Sequence, residues 1–476
     1  MSIQSETHEL TLRSRTVLAY GSGDIFGGGA TVVIGLYFFF FLTESVGLSP
    51  LMAGAVFAVG RLFDAVTDPL MGYLSDITRS RFGRRRIYFL VAIVPVWISF
   101  FLLWLPLPSF NPYLQLLYYS SCYLLYSLVY TMVMVPYSAL NAELHRSPSV
   151  RMRLAGSRMV FTQLTTMAAI LVPYWLIDLQ QPQGYSVMGA VFATIFCLPW
   201  IFVFWGTYEL PYRQPSQSVS FRDHIVRFVR ILTNRTVRCH MVMHAASYAA
   251  VDILMVLAVY FFTFYLGAPQ QYYHLSLLLL MTAMVGMLPI YYALSKHMSM
   301  RLLYCLAMTG WAIGLLLGYA ALRPDNSPFI WFAASFCIGI GAGGSILMPW
   351  AIFPLISDVG EYFSGENKAG MYAGMLTLIR KAVQGAFVMP LIGITLHSIN
   401  YMPQLFPQSQ QTATGLQRVF FLAPVFCIAV GVIAGIRFPL TRHRVQLLRD
   451  ALTDLRGGVH RDHISSELTN GLSHLA

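Results

Sequence analysis

The stretch GRLFDAVTDPLMGYLSDITRSRFGRRR, residues 60–86, begins as an apolar helix and ends in a run of arginines. Its apolar part nevertheless carries Arg61, Asp64, Thr67 and Asp68. At about 100° per residue these four fall within an arc of roughly 120°, so one stripe of the helix presents a guanidinium, two carboxylates and a hydroxyl. What such a stripe does depends on whether water or lipid surrounds it.

Composition decides for lipid. Of 476 residues, 57% are hydrophobic and only 11% are charged, with mean hydropathy +0.61. Soluble domains carry about 25% charged residues, so this much apolar surface has no place in water and the chain reads as a polytopic membrane protein. Apolar runs of about 20 residues predict twelve helical spans, near 17–43, 50–74, 87–106, 113–141, 156–178, 187–207, 240–266, 272–294, 301–322, 328–356, 371–397 and 418–437. Strand segments of alternating polarity, the signature of a membrane barrel, are missing, so the expected class is all-α. The longest internal polar stretch, YELPYRQPSQSVSFRDHIVRFVRILTNRTVR (208–238), divides the chain. It predicts an N-terminal segment 1–16, a six-helix bundle 17–207, a central loop 208–239, a second bundle 240–437 and a tail 438–476. Two bundles around a midplane site are a common plan of secondary transporters.

Basic residues set the topology, because lysine and arginine near span ends stay on the cytoplasmic side. Of the 31, only Arg323 and Arg418 fall on one side and Arg61, Arg158, Arg380 and Lys381 lie in spans; the rest share the other side. Both termini are therefore expected in the cytoplasm, and the net charge of +11 is mostly this bias, with attraction to anionic headgroups. Nucleic-acid binding would need a basic soluble domain, which the pattern lacks. The length of the first span predicts that no signal peptide is cleaved. Six cysteines without paired spacing read as small apolar fillers rather than a disulfide framework. In the tail, VQLLRDALTDLRGG (445–458) is an amphipathic pattern stopped by glycines, either an interfacial or capping helix or a solvated tail.

Inside a bilayer the opening stripe cannot face lipid, and an intramembrane carboxylate is a functional-site hypothesis by default. Asp64 and Asp68 do not both stay ionised unpaired: a cation binds, or one takes up a proton. Either outcome is a coupling-ion site, for Na⁺ or H⁺, and two carboxylates with a hydroxyl supply the oxygen ligands a hard cation takes. The plainer alternative is an Arg61–Asp64 pair that only locks helices together. Lys381, an ammonium in the eleventh span, needs an anion, and these carboxylates are the obvious ones. Arg380 lies about 100° away round that helix, so only Lys381 is expected to face the site.

The loop that follows, with Gly72, Asp76, Gly83 and Arg84 to Arg86, resembles the loop signature of the major facilitator superfamily, with two extra residues between Asp76 and Gly83. An acid at a helix end and a basic loop make charge-assisted bonds that hold one gate conformation. RLFDAVTDPLMG with TRSRFGRRR narrows the resemblance to the glycoside-pentoside-hexuronide:cation symporter family. LAYGSGD (18–24), YTMVMVPYSALNAEL (130–144), SRM (157–159), MPWAIFPLISDVGEY (348–362) and GENKAGMYAGMLTLIRKAVQGA (365–386) are similar to that family's spans 1, 4, 5, 10 and 11, in order, nearly end to end. The resemblance implies the major facilitator fold and cation-coupled transport of a sugar-like solute by a monomer in the cell membrane, the inner membrane if the source is bacterial. It places Asp64, Thr67, Asp68 and Thr131 as cation ligands, with Thr67 replacing an asparagine. Lys381 matches the family's span-11 lysine and Arg158 its arginine at the substrate cavity.

Departures from the family are equally informative. Gly27 and Gly28 stand where the galactoside carriers use a lysine-aspartate pair, Met134 and Ser138 where they place an aspartate and a tryptophan, and Ile346 where they have a span-10 tryptophan. The ion half of the site is kept and the galactoside-reading half is not. Sodium-dependent lysophosphatidylcholine carriers share VPYSAL (135–140), so an amphiphilic substrate is the alternative. YFFFF (37–41) fits that alternative, or, more plainly, lipid-facing packing.

The remaining polar residues are read as follows. Tyr130, Ser138 and the intramembrane acid Asp252 are candidates for the substrate side, with Arg158 and Lys381. Asp76, Arg84, Arg85, Glu143, Asp358 and Glu361 are candidates for gating ion pairs with Lys368, Arg151 or Arg153. His240 and His244, at i, i+4 beside Cys239, resemble a metal face but lack a further ligand, so no metal beyond the coupling cation and no cofactor are expected. GIGAGG (339–344) lies inside a span without βαβ context and reads as small-residue helix packing. No HExxH, GxSxG or nucleotide loop is found, which leaves a membrane-embedded lipid enzyme as a remote alternative. One clustered acid site suits occlusion better than a lined channel.

Overall fold

A computed structural model of the protein describes residues 13–107, 111–144, 148–176, 182–209, 234–364 and 369–456. These residues are helical, with no strand among them. Twelve helices are long and apolar enough to cross a membrane: α1 Ser14–Phe38, α2 Pro50–Ile77, α3 Arg86–Leu103, α4 Pro112–Asn141, α5 Arg153–Leu176, α6 Gly184–Gly206, α7 Arg235–Tyr265, α8 Gln270–Ser295, α9 Met300–Ala321, α10 Pro328–Phe363, α11 Gly374–Ser398 and α12 Gln410–Arg437. A shorter helix, α13, spans Arg442–Arg456. The twelve-span reading holds. Residues 1–12, 210–233 and 457–476, which the sequence assigned to the N-terminal segment, the central loop and the end of the tail, lie outside the described residues.

Polar caps explain where helices begin. The side chains of Ser49, Asn234, Ser299 and Ser409 accept from the backbone N–H three residues on, at 3.4, 3.2, 3.3 and 3.1 Å, satisfying donors that a first turn leaves orphaned. The caps start α7 at Arg235 rather than 240 and α12 at Gln410 rather than 418, because a capped turn extends a helix past its apolar run.

Helices α1 to α6 pack mainly on one another, through α2/α4, α3/α4, α1/α5 and α3/α6, and helices α7 to α12 through α7/α12, α9/α10, α8/α10 and α9/α12. Three seams join the groups: α1/α7, α2/α11 and α5/α8. An even number of spans puts both ends of the described chain at one end of the molecule, the near end. At the far end α2 and α11 touch backbone to backbone. A Cβ on Gly54 would sit 3.0 Å from the Met389 carbonyl, and one on Gly393 would collide with the Pro50 carbonyl. Small residues permit that approach.

The aromatic run of α1 is not on the lipid face. Tyr37, Phe38, Phe39, Phe40 and Phe41 are all buried, with Phe38 on Phe57, Tyr123 and Trp104, and Phe40 on Tyr260 of α7 at 5.0 Å. A helix that is hydrophobic all round is a buried one, and α1 is enclosed by both groups. Its end and that of α7 repeat one design: widened turns bonded i to i+5 at Phe41–Ser45 and Phe261–Tyr265, each followed by a glycine of positive φ, Gly47 and Gly267.

Helix α13 lays Leu448, Ala451 and Leu452 against the molecule, contacting α10, while Arg449 and Asp450 stay exposed. It is a capping helix rather than a solvated tail.

Beyond α1, Glu44 closes the far end. Its carboxylate accepts from the Tyr401 hydroxyl at 2.5 Å and from the Gln404 N–H at 3.2 Å, both in the α11–α12 connection. Burial pushes this carboxyl from its ordinary 4.5 up to about 7. A raised carboxyl favours the closed contact when protonated, so its contribution is complete below about 4.5 and lost as pH rises through about 7. Amide exchange in residues 399–405 is expected to accelerate between pH 5 and 8 beyond the intrinsic base-catalysed rate, and Glu44→Gln to remove the excess; an equal excess in both proteins would refute the assignment.

Candidate ion and substrate site

Helix α2 carries its charged stripe into the seam with α11. Asp64, whose side chain is only 2% exposed, accepts from Arg61 Nη1 at 3.1 Å and from the Ser127 hydroxyl of α4. Asp68, 21% exposed, accepts from Thr131 Oγ1 at 2.7 Å and from Lys381 Nζ at 2.6 Å. Lys381 Nζ also lies 3.4 Å from Asp64 Oδ2, so one ammonium from the second group of helices bridges both carboxylates of the first. Beside Asp64, Ser127 and Arg61 is a void of about 10 Å³, walled by Tyr123, Tyr126 and Tyr130, room for about one water or a bare ion.

The structure therefore brings Asp64, Asp68, Thr131 and Lys381 together. It does not bring the Thr67 hydroxyl to the carboxylates. That group donates to the Phe63 carbonyl at 3.1 Å, the ordinary back-bond of a helical threonine. Ser127, absent from the sequence reading, supplies the hydroxyl on Asp64, and its i, i+4 relation to Thr131 on α4 was the available signal.

A second cluster lies between α1 and α5. Arg158 Nη2 donates to Asp24 Oδ1 at 2.9 Å and Thr162 Oγ1 to Asp24 Oδ2 at 3.1 Å, while the Arg158 guanidinium sits 4.6 Å over the Tyr137 ring. Tyr137 in turn donates to the Tyr20 carbonyl at 2.6 Å, and Tyr130 to the Gly27 carbonyl at 2.9 Å. Asp24 was not among the sequence candidates, although it is the lone acid of α1, and intramembrane acids are the first to suspect. Ser138 is exposed on α4.

On the opposite wall, Arg61 Nη2 donates to Gln384 Oε1 at 2.9 Å. Gln384 lies near Asp252, which also feels the charges of Arg380 and Arg61. Lys381, and not Arg380, meets the two carboxylates, as the helical offset led one to expect: Arg380 packs instead on Tyr248 of α7, guanidinium carbon 4.0 Å from the ring centroid.

The near-end set is partly visible. Asp76 pairs with Arg85 at 2.8 Å and lies 3.8 Å from Arg84. Glu209, missed in the sequence, accepts from the N–H groups of Arg84, Arg85 and Arg86 at 3.0, 2.9 and 2.8 Å, holding the start of α3. Asp358 and Glu361 are half-buried on the last turns of α10. The side chain of Glu143, and Lys368, lie outside the described residues. His240 bonds the Pro349 carbonyl at 2.8 Å, and the His244 ring wedges between Tyr248 and Trp350.

Residues 19–442 match the family described as MFS/sugar transport protein. The chain belongs to that family. An uncharacterised symporter of Synechocystis sp. is 26% identical, with 90% of this chain and 95% of that protein covered. A Salmonella typhimurium protein named as a candidate sulfoquinovose importer is 26% identical, with 92% of each covered. The sodium-dependent lysophosphatidylcholine symporter 1-A of Danio rerio is 21% identical, covering 93% of this chain and 88% of its own. Among solved structures, a bacterial homologue of the human lysosomal transporter Spinster superposes with TM-score 0.65 at 12% identity, covering 90% of this chain and 98% of that one. The fold is that of the major facilitators, and the chain is a cation-coupled symporter of that type: a multi-pass protein of the cell membrane that moves a small molecule and is not an enzyme.

The geometry separates two hydroxyls that sequence spacing treats alike. Ser127→Ala should weaken cation-induced thermal stabilisation by about fivefold in apparent affinity, the loss of roughly 1 kcal/mol of hydrogen bonding, whereas Thr67→Val should shift it less than twofold. The reverse order would return Thr67 to the ligand set.

Proposed function

We propose that the protein couples the movement of a hydroxylated, sugar-like solute, a glycoside, pentoside or hexuronide, to Na⁺ or H⁺ by alternating access. The observation that carries this reading is the Lys381 ammonium held between Asp64 and Asp68 across the α2/α11 seam. The ammonium occupies the place a coupling cation would take. A cation entering there, with Thr131 as a further oxygen ligand, displaces Lys381 and unties the seam. Breaking a buried pair without replacement costs about 3–5 kcal/mol, so the seam opens when the cation compensates and stays shut when it does not. Arg158 with Asp24, and Tyr130, Ser138 and Asp252, line the solute's place between the two six-helix bundles, residues 17–207 and 240–437.

The basic near end is assigned to the cytoplasm by the positive-inside rule, which makes this arrangement, shut at the far end by Glu44, Tyr401 and the α2/α11 contact, an inward-facing one. Side-chain exposure rising from 2% at Asp64 to 21% at Asp68 and 23% at Arg158 fits access from that side. Asp76, Arg84, Arg85, Asp358 and Glu361 form the near-end gate, to which the sequence also assigns Glu143. One chain holds the complete site, so a monomer suffices.

An amphiphile such as a lysophospholipid is the second reading, drawn from the Danio rerio relative and from an apolar void of about 40 Å³ in the second bundle, walled by Leu254, Phe261 and Trp311. That void has room for little more than one or two water-sized groups, and YFFFF is packed away inside the core, so the polar reading is preferred.

Melting of the purified protein in Na⁺ against choline, across pH, tests the ion site without a known solute. A sodium-specific rise in Tm that vanishes in Asp64→Asn and Asp68→Asn is expected for sodium coupling; a pH-dependent rise lost in the same variants marks proton coupling instead. Retention of the full cation response in Asp68→Asn would sink the assignment.

A further inference from the structure

Four cations stand among the midplane helices, and three of them hold carboxylates: Arg61 on Asp64 at 3.1 Å, Arg158 on Asp24 at 2.9 Å and Lys381 on Asp68 at 2.6 Å. Arg380 makes no ion pair or hydrogen bond with any described residue; its one close partner is the Tyr248 ring at 4.0 Å. A guanidinium stacked by its face keeps its N–H edge free, and that edge is shaped for two parallel bonds to a carboxylate or a similar oxyanion. No nitrogen of Arg380 is among the buried side-chain atoms that lack a partner, so the edge stays within reach of an entering ligand.

The support beneath Arg380 is rigid. Tyr248 accepts from Trp350 Nε1 at 2.9 Å, and the His244 ring packs 4.7 Å from Tyr248. Arg380 also stands near the rest of the site, close enough for its charge to act on His244 and Asp252. Tyr130 of the first bundle lies in its field, with Lys381 Nζ 5.8 Å over the same ring. The nearby acid Asp252 feels the charge of Arg380 but forms no ion pair with it.

We propose that Arg380 reads an anionic group on the substrate, so that the solute is an acidic sugar whose carboxylate or sulfonate forms a bidentate pair with the guanidinium beside the Tyr248 and Trp350 rings. This rests on the sugar reading above and narrows it from sugars in general to acidic ones. Charge supports it. A cation bound at Asp64 and Asp68 adds a positive charge to a low-dielectric space, and an anion at Arg380 restores the balance, so each ligand tightens the other by the same factor.

The test is equilibrium binding of methyl β-D-glucuronide, of sulfoquinovose and of the neutral methyl β-D-glucoside to the full chain in detergent with sodium at pH 6 and 7.5. Wild type should bind at least one of the acidic sugars tenfold or more tighter than the neutral one. Arg380→Gln should erase that preference, with neutral-sugar affinity and cation-induced thermal stabilisation retained, and Arg380→Lys should restore part of it. The retained thermal response doubles as the control for folding. Equal binding of acidic and neutral sugars by wild type overturns the proposal while leaving the sugar reading intact. So does an equal loss of both in Arg380→Gln that Asp252→Asn reproduces, which would make Arg380 the partner of Asp252 in another conformation. Binding of lysophosphatidylcholine with none of the three sugars overturns the sugar reading itself.

Discussion

A lysine cannot sit uncompensated in the middle of a membrane, and neither can two neighbouring carboxylates. Lys381, Asp64 and Asp68 solve both problems with one contact, and much of the site is arranged around it. The ammonium comes from the second bundle and the carboxylates from the first, so the contact also fixes how the bundles meet. Around it the polar residues continue outward in both directions, from Asp64 through Arg61 to Gln384, which lies near Asp252, and from Asp68 to Thr131. A change in the occupant of the central position is therefore felt on α2, α4, α7 and α11 together.

Backbone design makes the contact possible. Helix α11 approaches α2 closely at Gly393 and Gly54, and Arg61 lies over Gly385, where a Cβ would collide with its side chain. Directly after Lys381 the helix widens into i to i+5 bonding at Val383–Val388. Such bulges recur at functional sites because the added residue turns the following side chains to a new phase. Here the widened segment carries Gln384, which reaches Arg61 across the seam, while Lys381 and Arg380 on the preceding turn serve different walls of the same space.

The core of the proposed ion site was legible in the sequence because charged residues in an apolar span are few and cannot hide. Asp64, Asp68 and Lys381 stood out, and helical spacing put the two acids on one stripe. Hydroxyls were less legible. In a membrane helix they often bond their own backbone, as Thr165 and Thr166 do to the carbonyls four residues back, so spacing alone does not distinguish Ser127, which reaches Asp64, from Thr67, which reaches Phe63. The offset of about 100° between Arg380 and Lys381 was legible too, and it sends the first to Tyr248 and the second to the carboxylates. YFFFF was misjudged because its neighbours Tyr260, Trp104 and Tyr123 come from three other helices, and nothing local encodes that enclosure. The ends of α7 and α12 were placed late because hydropathy overlooks caps, although Asn234 and Ser409 were there to be read.

The remaining constraint is the sum of charge at the midplane. Asp24, Asp64, Asp68 and Asp252 face Arg61, Arg158, Arg380 and Lys381, four against four, so with every group ionised the unloaded site is neutral. A coupling cation alone leaves one uncompensated charge in a low-dielectric space. At an effective dielectric of about 20, two unit charges roughly 8 Å apart interact by about 2 kcal/mol, equivalent to about thirtyfold in affinity and within the usual range of coupling between sites. A site neutral when empty thus penalises either charge entering alone and relieves the penalty when opposite charges enter together. Obligatory co-transport then needs no contact between the two ligands: the field they share is enough, provided Lys381 leaves the carboxylates only when something cationic takes its place.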